Sequence, residues 1–281
     1  MTAPLLALDD LRLALPGAGG WAQVLRGIGF RMGRERVALV GESGSGKSMT
    51  ARAIMRLLPR GARIAAKTLA LDGRDLLAPP ESEVARLRGK RIGLVLQDPR
   101  HALNPVLTVG AFLGEVWRTH KGGGRAEARD AALGALERVR IREPGRVIGA
   151  YPHELSGGMG QRVMIAAALM PEPDLLIADE PTSALDASIQ AEILALIEDA
   201  VATRGMGLLL ISHDLPLVGR YCDRVVVLHG GRVMEEIAAK DLVHARHPYT
   251  RGLLACLPRL SVRRDRLPVL DRDPAWAEGA P

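Results

Sequence analysis

Residues 41–48 read Gly-Glu-Ser-Gly-Ser-Gly-Lys-Ser, the pattern G-x-x-x-x-G-K-S, and they follow the apolar run Val37-Ala38-Leu39-Val40 directly. A buried strand, a glycine loop and a helix start in that order commit the chain to an α/β arrangement with a helix N-terminus aimed at the loop. The glycines let the backbone turn so that successive N–H groups converge on one anion, and Lys47 adds a point charge. The pattern predicts that Gly41, Glu42, Ser43, Gly44, Ser45, Gly46, Lys47, Ser48 and the adjoining Met49 cradle the phosphates of a nucleotide. The Ser48 hydroxyl is placed to hold Mg2+. Behind the loop, Ala51, Ile54, Met55, Leu57 and Leu58 read as a helix that Pro59 stops.

The 281 residues have room for one large α/β domain plus a small appendage, and 47% hydrophobic content supports a sizeable core. Met1 to Leu15 carries Asp9 and Asp10 without a basic n-region, which argues against a secretory signal. No apolar run approaches the roughly 18 residues of a membrane span. Cys222 and Cys256 are the only cysteines and lie far apart, so neither a disulfide framework nor a zinc site is indicated. The net charge of +6, from 38 basic and 32 acidic residues, is spread along the chain without a block of like charges. Arginine-rich composition accounts for it better than a nucleic-acid partner does.

Up to about Leu76 the pattern is one of short strands around the glycine loop, with Leu69 to Leu71 followed by the turn Asp72-Gly73. Ile92 to Leu96 is a further apolar run. From Leu103 to about Met170 the period turns helical, interrupted by a surface loop at Gly122-Gly123-Gly124. Strand character returns at Leu175 to Ala178. Asp186 then N-caps a helix through Ile189, Ile193, Leu196 and Ile197 to Gly205, and Leu208 to Ile211 and Val225 to Leu228 read as buried strands. A hairpin at His229-Gly230-Gly231-Arg232 leads into Val233. Strands alternating with helices imply a mainly parallel sheet. The expected fold is an α/β P-loop NTPase core with an antiparallel β-subdomain and an inserted helical subdomain over about residues 98–170. That domain would occupy residues 1–258, leaving 259–281 as an extended tail rich in Arg, Asp and Pro.

A phosphate loop needs a carboxylate on a neighbouring strand to order the metal's water, and Leu175-Leu176-Ile177-Ala178 ends in Asp179-Glu180. Asp179 is the metal-side acid, and Glu180 sits where it could take a proton from an attacking water. Leu155-Ser156-Gly157-Gly158-Met159-Gly160-Gln161-Arg162 is a second glycine-rich element, with Ser156 placed to cap the following helix. Lacking a lysine, it is not a second complete phosphate loop. It could instead meet a nucleotide held by another subunit.

With these elements the chain resembles the ATP-binding subunits of ABC transporters over nearly all of residues 5–258. The resemblance implies Walker A at Gly41 to Ser48, a Q-loop at Gln97, the signature at Leu155 to Gln161, Walker B ending at Asp179, and Glu180 as catalytic base. It also implies a D-loop at Ser183-Ala184-Leu185-Asp186 and a switch histidine at His213, within Ile211-Ser212-His213-Asp214. Mg2+ would be held by Ser48, Gln97 and Asp179, partly through water. Two such domains would close head to tail around two ATP, with Ser156, Gly157, Gly158 and Gln161 facing the other subunit's nucleotide. Trp21 is the candidate adenine-stacking aromatic, although an ungapped alignment puts Gly19 there, and packing on the β-subdomain is the other reading.

Gln97-Asp98-Pro99-Arg100, Leu103-Asn104-Pro105 and His247-Pro248-Tyr249-Thr250-Arg251 are similar to the peptide, nickel and opine importer branch. That resemblance implies a second, different ATPase subunit, two permeases and an extracytoplasmic binding protein, with this chain peripheral at the cytoplasmic face of the inner membrane. Gly160 departs from the bulkier polar residue usual in the signature, a change expected to be tolerated. The tail lacks the cysteine cluster of many peptide-importing relatives, which tilts the cargo towards nickel or a metal chelate. The rival reading is a soluble ABC-type ATPase acting on nucleic acid or ribosomes. Such proteins usually join two cassettes or insert zinc or coiled-coil modules, and neither is present here.

Overall fold

The computed structural model describes residues 3–257 apart from Ala18 and Ala184, together with Asp273 and Trp276. Most of the expected tail and one residue of the expected D-loop therefore lie outside the described residues. The chain runs through strands β1 (Leu6–Gly17), β2 (Gly20–Met32) and β3 (Arg36–Val40), helix α1 (Lys47–Ile54), and strands β4 (Arg63–Ala65), β5 (Thr68–Leu71) and β6 (Arg74–Asp75). Next come α2 (Glu81–Leu87), β7 (Ile92–Val95), α3 (Pro99–Ala102), α4 (Val109–His120), α5 (Arg125–Arg138), α6 (Pro144–Val147) and α7 (Gly157–Leu169). It closes with β8 (Leu175–Asp179), α8 (Ala187–Arg204), β9 (Gly207–Ile211), α9 (Leu215–Tyr221), β10 (Arg224–His229), β11 (Arg232–Ala238) and α10 (Pro248–Ala255). Two compact units result, divided between Pro80 and Glu81 and again between Leu208 and Leu209.

The first unit holds an antiparallel sheet in the order β2-β1-β5-β6, with β4 also on β1. Its β1–β2 pair is much longer than the short strands expected. Leu6 and Leu8 are buried on one phase of the alternation, whereas Leu11 and Leu13 are buried on the other. The register shifts between Leu8 and Leu11, where Asp10 takes a φ of 51°. A bulge of this kind flips which residues face the core and hides one long strand from a period-two reading. The same unit carries the parallel strands β3 and β10, paired from Val37 opposite Arg224 to Val40 opposite Val227, with β11 returning antiparallel beside β10. Val37 to Val40 and Val225 to Leu228 are fully buried, as the unbroken apolar runs require.

Helix α1 is shorter than expected and ends at Ile54. Arg56 adopts a φ of 51° and sends its guanidinium to the carbonyls of Leu76, Leu77 and Pro79, the last at 2.6 Å. Leu57 is left 42% exposed rather than packed on a helix face.

The second unit is mostly helical around the parallel pair β7–β8. Gly122 and Gly123 take positive φ between α4 and α5, and the Glu127 carboxylate accepts the Gly124 N–H at 3.1 Å to start α5. Asp186 caps α8 by accepting from Ser188 and Ile189 N–H, and Gly205 ends that helix at φ 58°, both as expected. The Ile189 N–H, and after it the burial-opposed Ser188 contacts, hold the Asp186 carboxyl below the usual carboxylate range.

Candidate functional site

In the first unit, β3 delivers the glycine loop and α1 receives it. Gly41 has a φ of 149°, and a Cβ there would lie 2.1 Å from the Leu228 carbonyl oxygen. Only glycine allows β10 to approach so closely. Gly46, at φ 102°, precedes the first turn of α1, and its carbonyl accepts from Thr50 N–H and Thr50 Oγ1. Lys47 is 6% exposed and donates from Nζ to the Gly41 and Glu42 carbonyls at 2.8 and 2.9 Å. Ser45 Oγ is buried and makes no hydrogen bond. A buried hydroxyl without a partner, beside a lysine and the amides of a helix start, fits a loop made to receive a multiply charged oxyanion.

Elements remote in sequence brace this loop. Gly231, in the β10–β11 hairpin, donates its N–H to the Ser45 carbonyl at 3.0 Å. The Glu42 N–H donates to the Tyr249 hydroxyl at 3.2 Å, and His229 Nδ1 is 3.8 Å from the Glu42 carboxylate. Neither Tyr249 nor His229 was picked out as a residue of the loop from the sequence. The only signal available was the string His247-Pro248-Tyr249, which carries no information on where the helix it starts is docked. His213 follows β9 and is exposed. Ser212 anchors its loop by donating from N to the Leu39 carbonyl at 3.2 Å and by accepting the Asp214 N–H on Oγ at 3.0 Å.

Trp21 sits at the hairpin end of β2, opposite Pro16, and is 44% exposed. The Arg63 guanidinium carbon lies 3.7 Å from its ring centroid, a cation–π contact that covers one face. Val24 and Leu25 are the β2 residues next to Gly46, which sets Trp21 about 10 Å away along the strand.

In the second unit, the parallel register pairs Val95 with Ala178. Two residues further along each strand, Gln97 Nε2 donates to Glu180 Oε2 at 3.2 Å. Asp179 is 7% exposed at the end of β8. Glu180 has a φ of 47°, a left-handed conformation uncommon for a residue with a side chain, and its carbonyl accepts from Ser183 N–H and Oγ. Strained backbone of this kind is tolerated where the surroundings hold it and often marks a working residue.

Ser156 caps α7, its Oγ accepting the Met159 N–H at 3.3 Å, and Gly157 is exposed beside it. Gln161 does not share that face. It is 1% exposed, and its amide reaches the Leu96 carbonyl at a long 3.5 Å. The geometry thus places Gln161 in the unit's core, supporting the residue that precedes Gln97. Gly160 packs on Pro99, where a Cβ would come within 3.2 Å, so a small residue suits the approach of α3 to α7.

Serine hydroxyl, glutamine amide and aspartate carboxylate oxygens are the hard donors that Mg2+ takes, so Ser48, Gln97 and Asp179 fit that ion chemically. Among the described residues no helix is long and apolar enough to cross a membrane.

Residues 26–183 match the family model described as ABC transporter. The chain is 44% identical to the probable D,D-dipeptide transport ATP-binding protein of Escherichia coli over 96% of its own length and 83% of that protein's. It is 42% identical to the dipeptide transport ATP-binding protein of Bacillus subtilis, covering 96% and 81% of the two chains. Among solved structures it is similar to a dimeric bacterial ABC transporter cassette, with a TM-score of 0.75 and 26% identity over 83% of this chain and 98% of that one. A dimeric ATP-binding cassette in a post-hydrolysis state bound to ADP and Pi is similar at a TM-score of 0.74, with the same identity and coverage.

Proposed function

Because the chain belongs to the ABC transporter family, we propose that it hydrolyses ATP as the energy-coupling subunit of an importer whose cargo is a short peptide. The observation that carries the reading is the Gln97–Glu180 hydrogen bond, which ties a metal-side amide to a candidate base in one unit. In this reading the loop amides and Lys47 bind the β- and γ-phosphates, and Glu180 accepts the proton of the attacking water. His213 orients the γ-phosphate. Ser48, Gln97 and Asp179 would hold Mg2+, which supplies charge neutralisation at the phosphates when bound.

Two ATPase domains close head to tail, each offering Ser156, Gly157 and Gly158 at the start of α7 to the other's nucleotide. The second domain belongs to a related but different subunit. Two permeases hold the pair at the cytoplasmic face of the inner membrane, and an extracytoplasmic binding protein selects the cargo. The names of the two relatives favour a dipeptide over nickel, metal chelates or opines, against the expectation of nickel or a metal chelate.

The test is light scattering on the purified Glu180→Gln variant with and without Mg-ATP, the partner subunit being absent. Dimers that form only with Mg-ATP support head-to-tail closure. A variant that turns over ATP at the wild-type rate removes Glu180 from the role of base.

A further inference from the structure

The peptide unit between Gly41 and Glu42 is held at both ends. Its carbonyl oxygen, on Gly41, accepts from Lys47 Nζ at 2.8 Å, and its N–H, on Glu42, donates to the Tyr249 hydroxyl at 3.2 Å. A peptide flanked by a residue at φ 149° is one that glycine leaves free to rotate, so something outside the loop must fix its sense. The element that does so is α10. His247 Nδ1 accepts the Tyr249 N–H at 3.1 Å and Pro248 fills the first helical position, which sets the tyrosine at the start of the helix. The Tyr249 ring is fully buried. It lies against His229, with centroids 4.5 Å apart, and against Trp276 at 5.6 Å.

We propose that Tyr249 is a positioning residue for nucleotide binding, fixing the Gly41–Glu42 peptide in the sense that turns its carbonyl towards Lys47. The proposal rests on the phosphate-loop reading above and adds to it a determinant from the C-terminal helix. Both carbonyls that hold the ammonium in place, those of Gly41 and Glu42, belong to residues flanking the bond to the tyrosine. Without the hydroxyl, the Glu42 N–H loses its bond to α10 and the peptide is held less firmly. Lys47 then loses its fixed point of departure towards the phosphates. The ring's own packing against His229 and Trp276 does not depend on the hydroxyl, which separates the positioning role from a merely structural one.

Tyr249→Phe in the full chain tests this by calorimetric titration with Mg-ATP, well below the melting temperature. The Kd is expected to rise about threefold to tenfold, the value of one hydrogen bond. The kcat at saturating ATP should stay within about twofold of wild type, because the chemistry is done by other groups. Amide exchange of the segment containing Glu42 should quicken in the nucleotide-free variant. A variant that melts earlier but binds Mg-ATP with the wild-type Kd overturns the proposal, as does unchanged exchange at Glu42. Failure of the wild-type protein itself to bind Mg-ATP would instead remove the reading of the loop, and this inference with it.

Discussion

Gln97 and Glu180 meet because β7 and β8 are parallel and in register. Val95 stands opposite Ala178, and two residues beyond each, the glutamine amide donates to the glutamate carboxylate at 3.2 Å. The contact follows from strand pairing. A carboxylate that takes a proton in the rate-limiting step typically contributes about a hundredfold or more. Glu180→Gln is therefore expected to lose at least about a hundredfold in phosphate release, while equilibrium binding of ATP stays near wild type. Equal losses in both would assign Glu180 to binding instead.

The backbone at Glu180 permits a separate experiment. At φ 47° a side chain costs about 1 kcal/mol that glycine does not incur. Glu180→Gly and Glu180→Ala both remove the carboxylate, so their activities should be alike. Their melting temperatures should not be, with the glycine variant the more stable. Equal melting temperatures would mean that the surrounding turn, not the residue, accounts for the conformation.

The glycine loop allows a ranking. An added Cβ at Gly41 meets the Leu228 carbonyl at 2.1 Å, whereas one at Gly46 meets the end of the Leu25 side chain at 2.8 Å. Backbone cannot yield as a methyl group can. Gly41→Ala should thus be the more destabilised of the two, by at least about 1 kcal/mol relative to wild type, and should lose nucleotide binding. Thermal melts of both variants check the order.

What was legible in the sequence was whatever is local. Gly41 to Ser48, Asp179-Glu180 and the Ser156 and Asp186 caps are set by spacing within a few residues, and the structure has each cap where it was expected. What was not legible depends on partners distant in the chain or on a change of phase. The Tyr249–Glu42 bond spans 207 residues, and nothing near either residue announces it. The bulge at Asp10 shifts the alternation within β1, so a long strand reads as two short ones. Gln161, assigned with its neighbours to a ligand-facing element, lies on the buried side of α7, because a helix turns about 100° per residue and a short motif wraps around it. For Trp21 the sequence left adenine stacking and packing on the β-subdomain both open, and the contact found for it is with Arg63.

Acid sensitivity is expected at the start of β3. Asp223 accepts from Arg36 N, Nε and Nη2, at 2.9, 3.2 and 2.7 Å, closing the β3–β10 pair at its edge. The Arg36 guanidinium, by hydrogen bonding first and by charge as well, holds the Asp223 carboxyl below its ordinary value of 3.8. A carboxyl depressed in the folded state stabilises fully above its unfolded value, and that share is lost as the pH falls through the folded one. Asp223→Asn should therefore be less stable than wild type at pH 7, by under about 1 kcal/mol for a pair this exposed. The difference should shrink as the pH falls below 3.8 and through the lower folded value. Urea melts of the two proteins across that range decide it, and a gap that persists in acid would assign the loss to packing.

The start of α7 separates a local role from an intermolecular one. Ser156 Oγ accepts the Met159 N–H, so Ser156→Ala should cost about 1 kcal/mol through the lost cap. Asparagine caps as well as serine, so Ser156→Asn should recover that stability. If the hydroxyl and the small residues beside it also meet the nucleotide held by a second subunit, the asparagine variant regains its melting temperature but not ATP-driven association. Light scattering of each variant on the Glu180→Gln background, with Mg-ATP, reads the second property alone. Association recovered together with stability would reduce Ser156 to a helix cap and leave the head-to-tail contact to the glycines and the α7 amides.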